Sequence, residues 1–248
     1  MLNYIKAELY KALHRPYLWV LLAVMLALEE LFLWLLVSAS FVDMVAVLSP
    51  LMTAGNFLVI PLSHLVVSGP YGSGTLKNEL SFGLPRSRIY LGKLFTAILL
   101  GVALCAVLIA FYLGTGWLLA EEKGGETLLE NLSVLAYVVA GSVPLWLGSL
   151  GICMALFFLL RSETGAVITL TLALAIGTPL LEIFQGIQVE PFQAAARFLW
   201  SILPVTQFGQ YTNELTWGLL AKYWAIGLGW LAGASALGVA VFRRRDIR

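Results

Sequence analysis

Glu29 and Glu30 stand side by side in an otherwise apolar run, and of all residues in the chain they most invite chemistry. Carboxylates so placed serve as general acids or bases, as metal ligands, or as partners for a cation. At mid-membrane depth each charge costs at least ~2.5 kcal/mol even on the mildest insertion scale. Adjacent helical residues point ~100° apart, so the two cannot face one narrow lumen equally. His64 lies in a second apolar run and His14 precedes the first. A metal or general-base site needs several converging ligands, and these histidines supply too few. Cys105 and Cys153 sit inside apolar runs without metal or disulfide spacing and read as small packing residues. Gly92-Lys93 is followed by Leu94 and lacks the upstream glycine of a phosphate loop, so ATP is not expected to bind this chain.

The elements that carry these residues are apolar helices. Hydrophobic residues make up 60% of the 248-residue chain and charged residues 12%. Soluble domains keep about a quarter of their residues charged, so most of this surface is expected to face lipid. The net charge of +1 gives no basis for nucleic-acid binding. About 20 helical residues span the hydrocarbon. Tyr17–Ser40, Pro50–Ser68, Leu94–Ala120, Leu132–Leu160, Thr164–Phe184 and Lys222–Phe242 meet that length, the fourth being long enough to tilt or to break at Pro144. Val37-Ser38-Ala39-Ser40 resembles a signal-peptide cleavage site, but the run before it is too long and carries the two glutamates. Leu2, Ile5, Leu9 and Leu13 recur at helical spacing with Lys6, Glu8, Lys11 and Arg15 on other faces, which predicts an interfacial helix over 1–16. The expected fold class is all-α: one polytopic membrane domain over 1–248, with six transmembrane helices.

Lysine and arginine set the orientation. Lys6, Lys11 and Arg15, then Lys77, Arg86, Arg88 and Lys93, then Arg161, then Arg243, Arg244, Arg245 and Arg248 alternate with loops carrying Asp43, Glu121, Glu122, Glu126, Glu130, Glu190 and Glu214 against only Lys123 and Arg197. Both termini are therefore expected in the cytoplasm. Two connections are long enough to hold structure: a basic cytoplasmic stretch, 69–93, and an outer stretch, 185–221. The outer one carries Phe192, Phe198, Trp200 and Trp217, which predicts short helices dipping into the outer surface, with Pro191 and Pro204 as breakers. Thr53, Asn56 and Ser63 form a polar stripe on the second span, and Asn56 lies at the same depth as Glu29, ~18 Å from the cytoplasmic side. An antiparallel Glu29–Asn56 pair facing the bundle interior is expected. The functional reading is an acidic lining for a cationic amphipathic cargo; the alternatives are a protonated, hydrogen-bonded structural pair or a first helix whose hydrocarbon part ends before the glutamates. Ala221, Ala225, Gly229 and Gly233 form a small-residue stripe on the last helix, read as packing within the subunit ahead of a dimer contact. Thr169, Thr171, Thr178 and the Gly177-Thr178-Pro179 break either line a pathway or kink the fifth helix.

The stretch from Gly72 to Lys93 reads as a short helix around Thr75–Phe82, a Gly83/Pro85 break, and a second basic helix entering the membrane. Gly74, Thr75, Leu76, Lys77, Pro85, Arg86, Ser87, Arg88, Gly92 and Lys93 resemble the coupling segment of the ABC type-2 permease family, a G-T-L-+ start, a P-x-S/T-R/K turn and a G-K. The resemblance extends to the amphipathic start at Lys6–Lys11 and the ending Phe242–Asp246, and departs at Pro70-Tyr71. It implies a permease subunit of a bacterial ABC exporter in the cell membrane. Two copies of a separate ATP-binding subunit would hold ATP and magnesium, so this chain would need no cofactor of its own, and a second permease, identical or related, would complete the pathway. Thr75, Leu76, Asn78, Glu79, Phe82 and Arg86 are the expected docking residues, and Glu29, Glu30, Thr53, Asn56 and Ser63 the expected pathway lining. The small size resembles subunits that remove antibiotics or bacteriocin-type peptides, including lantibiotic self-protection systems. A secondary transporter or channel without an ATPase is the alternative. An intramembrane peptidase of the Glu-Glu type is disfavoured, because Trp34 stands where that family has an arginine.

Overall fold

The computed structural model describes residues 1–35, 40–72, 83–123, 125–160, 162–187, 189–208 and 216–244, and among these no strand occurs. The helices are α1 (Leu2–Leu13), α2 (Pro16–Leu35), α3 (Phe41–Ala54), α4 (Val59–Gly72), α5 (Arg86–Leu119), α6 (Leu128–Leu159), α7 (Glu163–Leu172), α8 (Thr178–Gly186), α9 (Glu190–Ile202), α10 (Pro204–Gln207) and α11 (Trp217–Arg244). A 3₁₀ turn, Gly55–Leu58, joins α3 to α4, and a π-helical turn, Ala173–Gly177, joins α7 to α8. Among the described residues, six helical segments are long and apolar enough to cross a membrane: Pro16–Leu35, Phe41–Val67, Arg86–Leu119, Leu128–Leu159, Glu163–Gly186 and Trp217–Arg244. The chain has the build of a multi-pass membrane protein.

The second span begins nine residues before the expected Pro50, at Phe41. Ser40 and Asp43 form a capping box in which each side chain meets the other's backbone N–H, satisfying donors that would otherwise be orphaned. Asp43, expected in a loop, is therefore a helix cap. The third span starts eight residues before the expected Leu94, because the basic segment from Arg86 continues into it without a break. Helix α6 passes through Pro144 unbroken. The expected loops shorten accordingly: helix covers 69–72 and 86–93, and the outer connection lies between Gly186 and Trp217. Within it, Pro191 and Pro204 open α9 and α10 rather than only ending helices, since proline suits the first turn. Gln193 donates to the Gln185 carbonyl at 2.9 Å, folding α9 back on α8.

Helices α6 and α11 form the tightest pair of the bundle. A Cβ on Gly227 would lie 2.0 Å from the Pro144 carbonyl oxygen, and one on Gly148 would lie 2.9 Å from the Gly227 carbonyl oxygen. Backbone this close demands glycine. The expected packing stripe is not the one used: Ala221, Ala225, Gly229 and Gly233 are exposed, with nothing within 4 Å of either glycine's Cβ position. The inward face carries Tyr223, Gly227, Ala234 and Gly238 instead.

Candidate functional site

Among the described residues Lys93 is the most deeply buried charged one, with its side chain 1% exposed. Its ammonium donates to Glu8 Oε2 at 2.6 Å, and the Val66 carbonyl lies 3.4 Å away. Lys11 donates to Glu8 Oε1 at 2.6 Å from the water side. Burial would raise the Glu8 pKa, but Lys93 and Lys11 together outweigh it and hold the carboxyl below its ordinary 4.5. Glu8, expected only to lie off the apolar face of α1, is buried against the bundle. Three sectors of α1 emerge at 100° per residue. Tyr4, Glu8 and Ala12 face the bundle, Leu2 and Leu13 stay uncovered, and Asn3, Lys6, Tyr10 and His14 face outward. Next to the ion pair, Tyr4 lies against Gly92, where a Cβ would meet its ring at 2.3 Å. The glycine and lysine of the Gly92-Lys93 pair therefore both serve α1: one makes room for a ring, the other supplies a counter-charge.

Arg86 braces the same base from the other side. Its Nη1 donates to the Phe242 and Arg243 carbonyls at 3.1 and 2.8 Å, satisfying the open end of α11. Tyr90, one turn on, packs on Phe158 and covers Gly238. Of the expected docking residues, Arg86 is engaged within the chain, while Thr75, Leu76, Asn78, Glu79 and Phe82 lie outside the described residues. Arg161, Glu214, Arg245 and Arg248 lie there too. What is described is the platform from which segment 73–82 departs: α4 on one side, and on the other the start of α5, clamped by α1 and α11.

The expected Glu29–Asn56 pair is not formed. Glu29 Oε2 is buried without a hydrogen-bond partner, and neither amide atom of Asn56 has one. Glu29 lies within electrostatic reach of Cys105 and Tyr112 on α5. Asn56, 2% exposed, instead lines a cleft of about 450 Å³ between α6 and the α7–α8 span. The 3₁₀ turn adds little to this, because Asn56 is only its second residue and a ~120° step against ~100° shifts it by roughly 20–40°; the packing of the whole second span sets where the amide faces. Ser149, Cys153, Gly177 and Thr178 share the cleft with Asn56. Ser63 is fully buried with an unpaired hydroxyl, and Thr53 and Glu30 are half-buried. Pro179 lacks the N–H that would bond the Ala175 carbonyl, so the helix widens into its π turn while Thr178 donates to the Leu174 carbonyl at 2.7 Å. The break in the fifth apolar helix thus takes the form of a π turn and also lines a cleft.

His64 stands beside Tyr17, with ring centroids 5.9 Å apart. Glu29 is twelve residues further along α2, about 18 Å of helix. The residues that a Glu-Glu peptidase would bring together are therefore at different depths. Sequence reasoning missed the Glu8–Lys93 and His64–Glu163 pairs. A lone lysine at the mouth of an apolar run, with one carboxylate on a neighbouring amphipathic helix, was the available signal for the first. No family model matches the chain, and no curated protein does.

Proposed function

We propose that the chain is the membrane-spanning permease subunit of an ATP-driven ABC exporter, docking through segment 73–82 on a separate ATP-binding subunit. The single observation that carries this reading is the braced start of α5. Lys93–Glu8 and Tyr4–Gly92 fasten it to α1, and Arg86 and Tyr90 fasten it to α11. A displacement applied to the adjoining segment would be passed into two spans and the interfacial helix together, which is what coupling to an ATPase requires. In this reading the basic end faces the cytoplasm, two ATP-binding subunits grip two permeases, and the uncovered small face of α11 is free for a second permease.

The cargo is an amphipathic compound of the antibiotic or bacteriocin-peptide class. Asn56 supports that class because it offers a free donor and a free acceptor inside an apolar cleft, matching an amide-bearing molecule. Glu29 and Glu30 suit a cationic one. Purification from native membranes in mild detergent, with identification of every bound chain, tests the assignment. An ATP-binding protein is expected to copurify with the wild type and to be lost from Leu76→Asp. A chain that copurifies with no ATPase and moves cargo unaided is a secondary transporter or channel.

A further inference from the structure

A second cleft, of about 470 Å³, opens at the basic end between the start of α2, α4 and the start of α7. Its size falls within the roughly 300–1,000 Å³ of small-molecule sites. Its upper rim is polar. Glu163, in the first turn of α7, places Oε2 3.8 Å from His64 Nε2, an ion-pair distance too long for a hydrogen bond. The other carboxylate oxygen, Oε1, is buried with no partner. Arg15, whose guanidinium donates to the Leu65 carbonyl, lies within electrostatic reach of the same carboxylate. Below the rim the walls turn apolar, with Ile60, Pro61 and Val167.

Two facts point to lipid. Trp19 donates to the Leu13 carbonyl at 2.8 Å, and both Trp19 and Tyr17 expose their rings at this corner, the position of aromatic side chains at a membrane–water boundary. The rim thus lies at headgroup depth. Two of the three spans beside the cleft, Pro16–Leu35 and Glu163–Gly186, are also the least covered of the described spans, so the furrow opens sideways.

A buried carboxylate oxygen lacking a donor calls for a cation that can donate, while the Arg15 guanidinium calls for an anion beside it, toward which a ring N–H of His64 can also donate. We propose that this cleft binds a phospholipid whose headgroup ends in a primary ammonium. The ammonium donates to Glu163 Oε1, the phosphate faces Arg15 and His64, and an acyl chain lies along Ile60, Pro61 and Val167. A choline headgroup carries the charge without a donor, and a glycerol headgroup donates without the charge. The inference does not rest on the transport reading.

Native mass spectrometry of the full chain, with phosphatidylethanolamine, phosphatidylcholine and phosphatidylglycerol of identical acyl chains at equal concentration, tests it. Phosphatidylethanolamine adducts are expected to exceed either competitor by about tenfold, the worth of one charge-assisted hydrogen bond. Glu163→Gln is expected to equalise the three lipids. Val167→Trp, which fills the furrow and leaves the carboxylate in place, is expected to lose the bound phosphatidylethanolamine. Equal retention of the three lipids by the wild type overturns the proposal. So does an undiminished preference in either variant, or displacement of the lipid by water-soluble phosphoethanolamine.

Discussion

Replacing Glu8 by glutamine removes the counter-charge of a lysine that water cannot reach. The side chains of Lys93 and Glu8 are 1% and 4% exposed, so the pair is a buried one, and breaking such a pair costs about 3–5 kcal/mol. Glutamine still accepts a hydrogen bond, and the Val66 carbonyl stays near the ammonium, which favours the lower end, about 3 kcal/mol. At 1.36 kcal/mol per decade this is about a 150-fold rise in the undocked population of α1. Hydrogen exchange of residues 2–13, measured on the full chain in a bilayer disc and corrected for intrinsic rates, reads that population. Lys11→Gln is the control: its side chain is 51% exposed, and an exposed pair is worth under about 1 kcal/mol. Glu8→Leu combined with Lys93→Met removes both charges and is expected to recover most of the protection, because apolar replacement of a buried pair is near neutral. Acid gives an independent reading. The Glu8 carboxyl is held below its ordinary 4.5, so its contribution is complete above about pH 4.5 and is lost as the pH falls through the lowered value. Glu8→Gln should lack that acid step. The reasoning is refuted if Glu8→Gln leaves exchange within about threefold of wild type, or if the double variant loses the sum of the two single losses.

Three further outcomes follow from the packing. Gly227→Ala drives a Cβ to 2.0 Å from the Pro144 oxygen and must part α6 from α11, whereas Gly229→Ala meets nothing within 4 Å. Thermal unfolding of the purified chain should drop steeply for the first, by an overpacking cost of about 1–3 kcal/mol or more, and stay unchanged or rise slightly for the second. Asn56→Leu removes two unpaired buried polar atoms and should raise thermal stability by about 1–3 kcal/mol while reducing cargo export; a destabilised Asn56→Leu would mean that the amide has a partner. Arg86→Ala takes a charged donor from two carbonyls at the end of α11, a loss of about 1.5–3 kcal/mol, and should appear as faster exchange confined to residues near 240–244.

The sequence by itself determined the six long apolar helices, the alternation of basic and acidic connections, an amphipathic first helix and the irregular fifth apolar helix. Hydropathy and charge are sums along the chain, and a segment of twenty apolar residues has few places to go but across a bilayer. It also carried the Ser40–Asp43 cap, legible in the letters though easily passed over beside Pro50. What only the tertiary structure decided is which polar groups meet. Glu29 and Asn56 count to the same depth along the sequence, yet Asn56 faces α6 and α8 while Glu29 faces Cys105 and Tyr112 on α5. Glu8 and Lys93 are 85 residues apart and meet because α1 lies across the base of α5. The glycines that pack α6 on α11 are Gly148 and Gly227, and no local pattern distinguishes them from the outward Gly229 and Gly233. Depth follows from counting residues, but the direction a side chain faces follows from the rotation of each helix about its axis, and that is set by every neighbour at once.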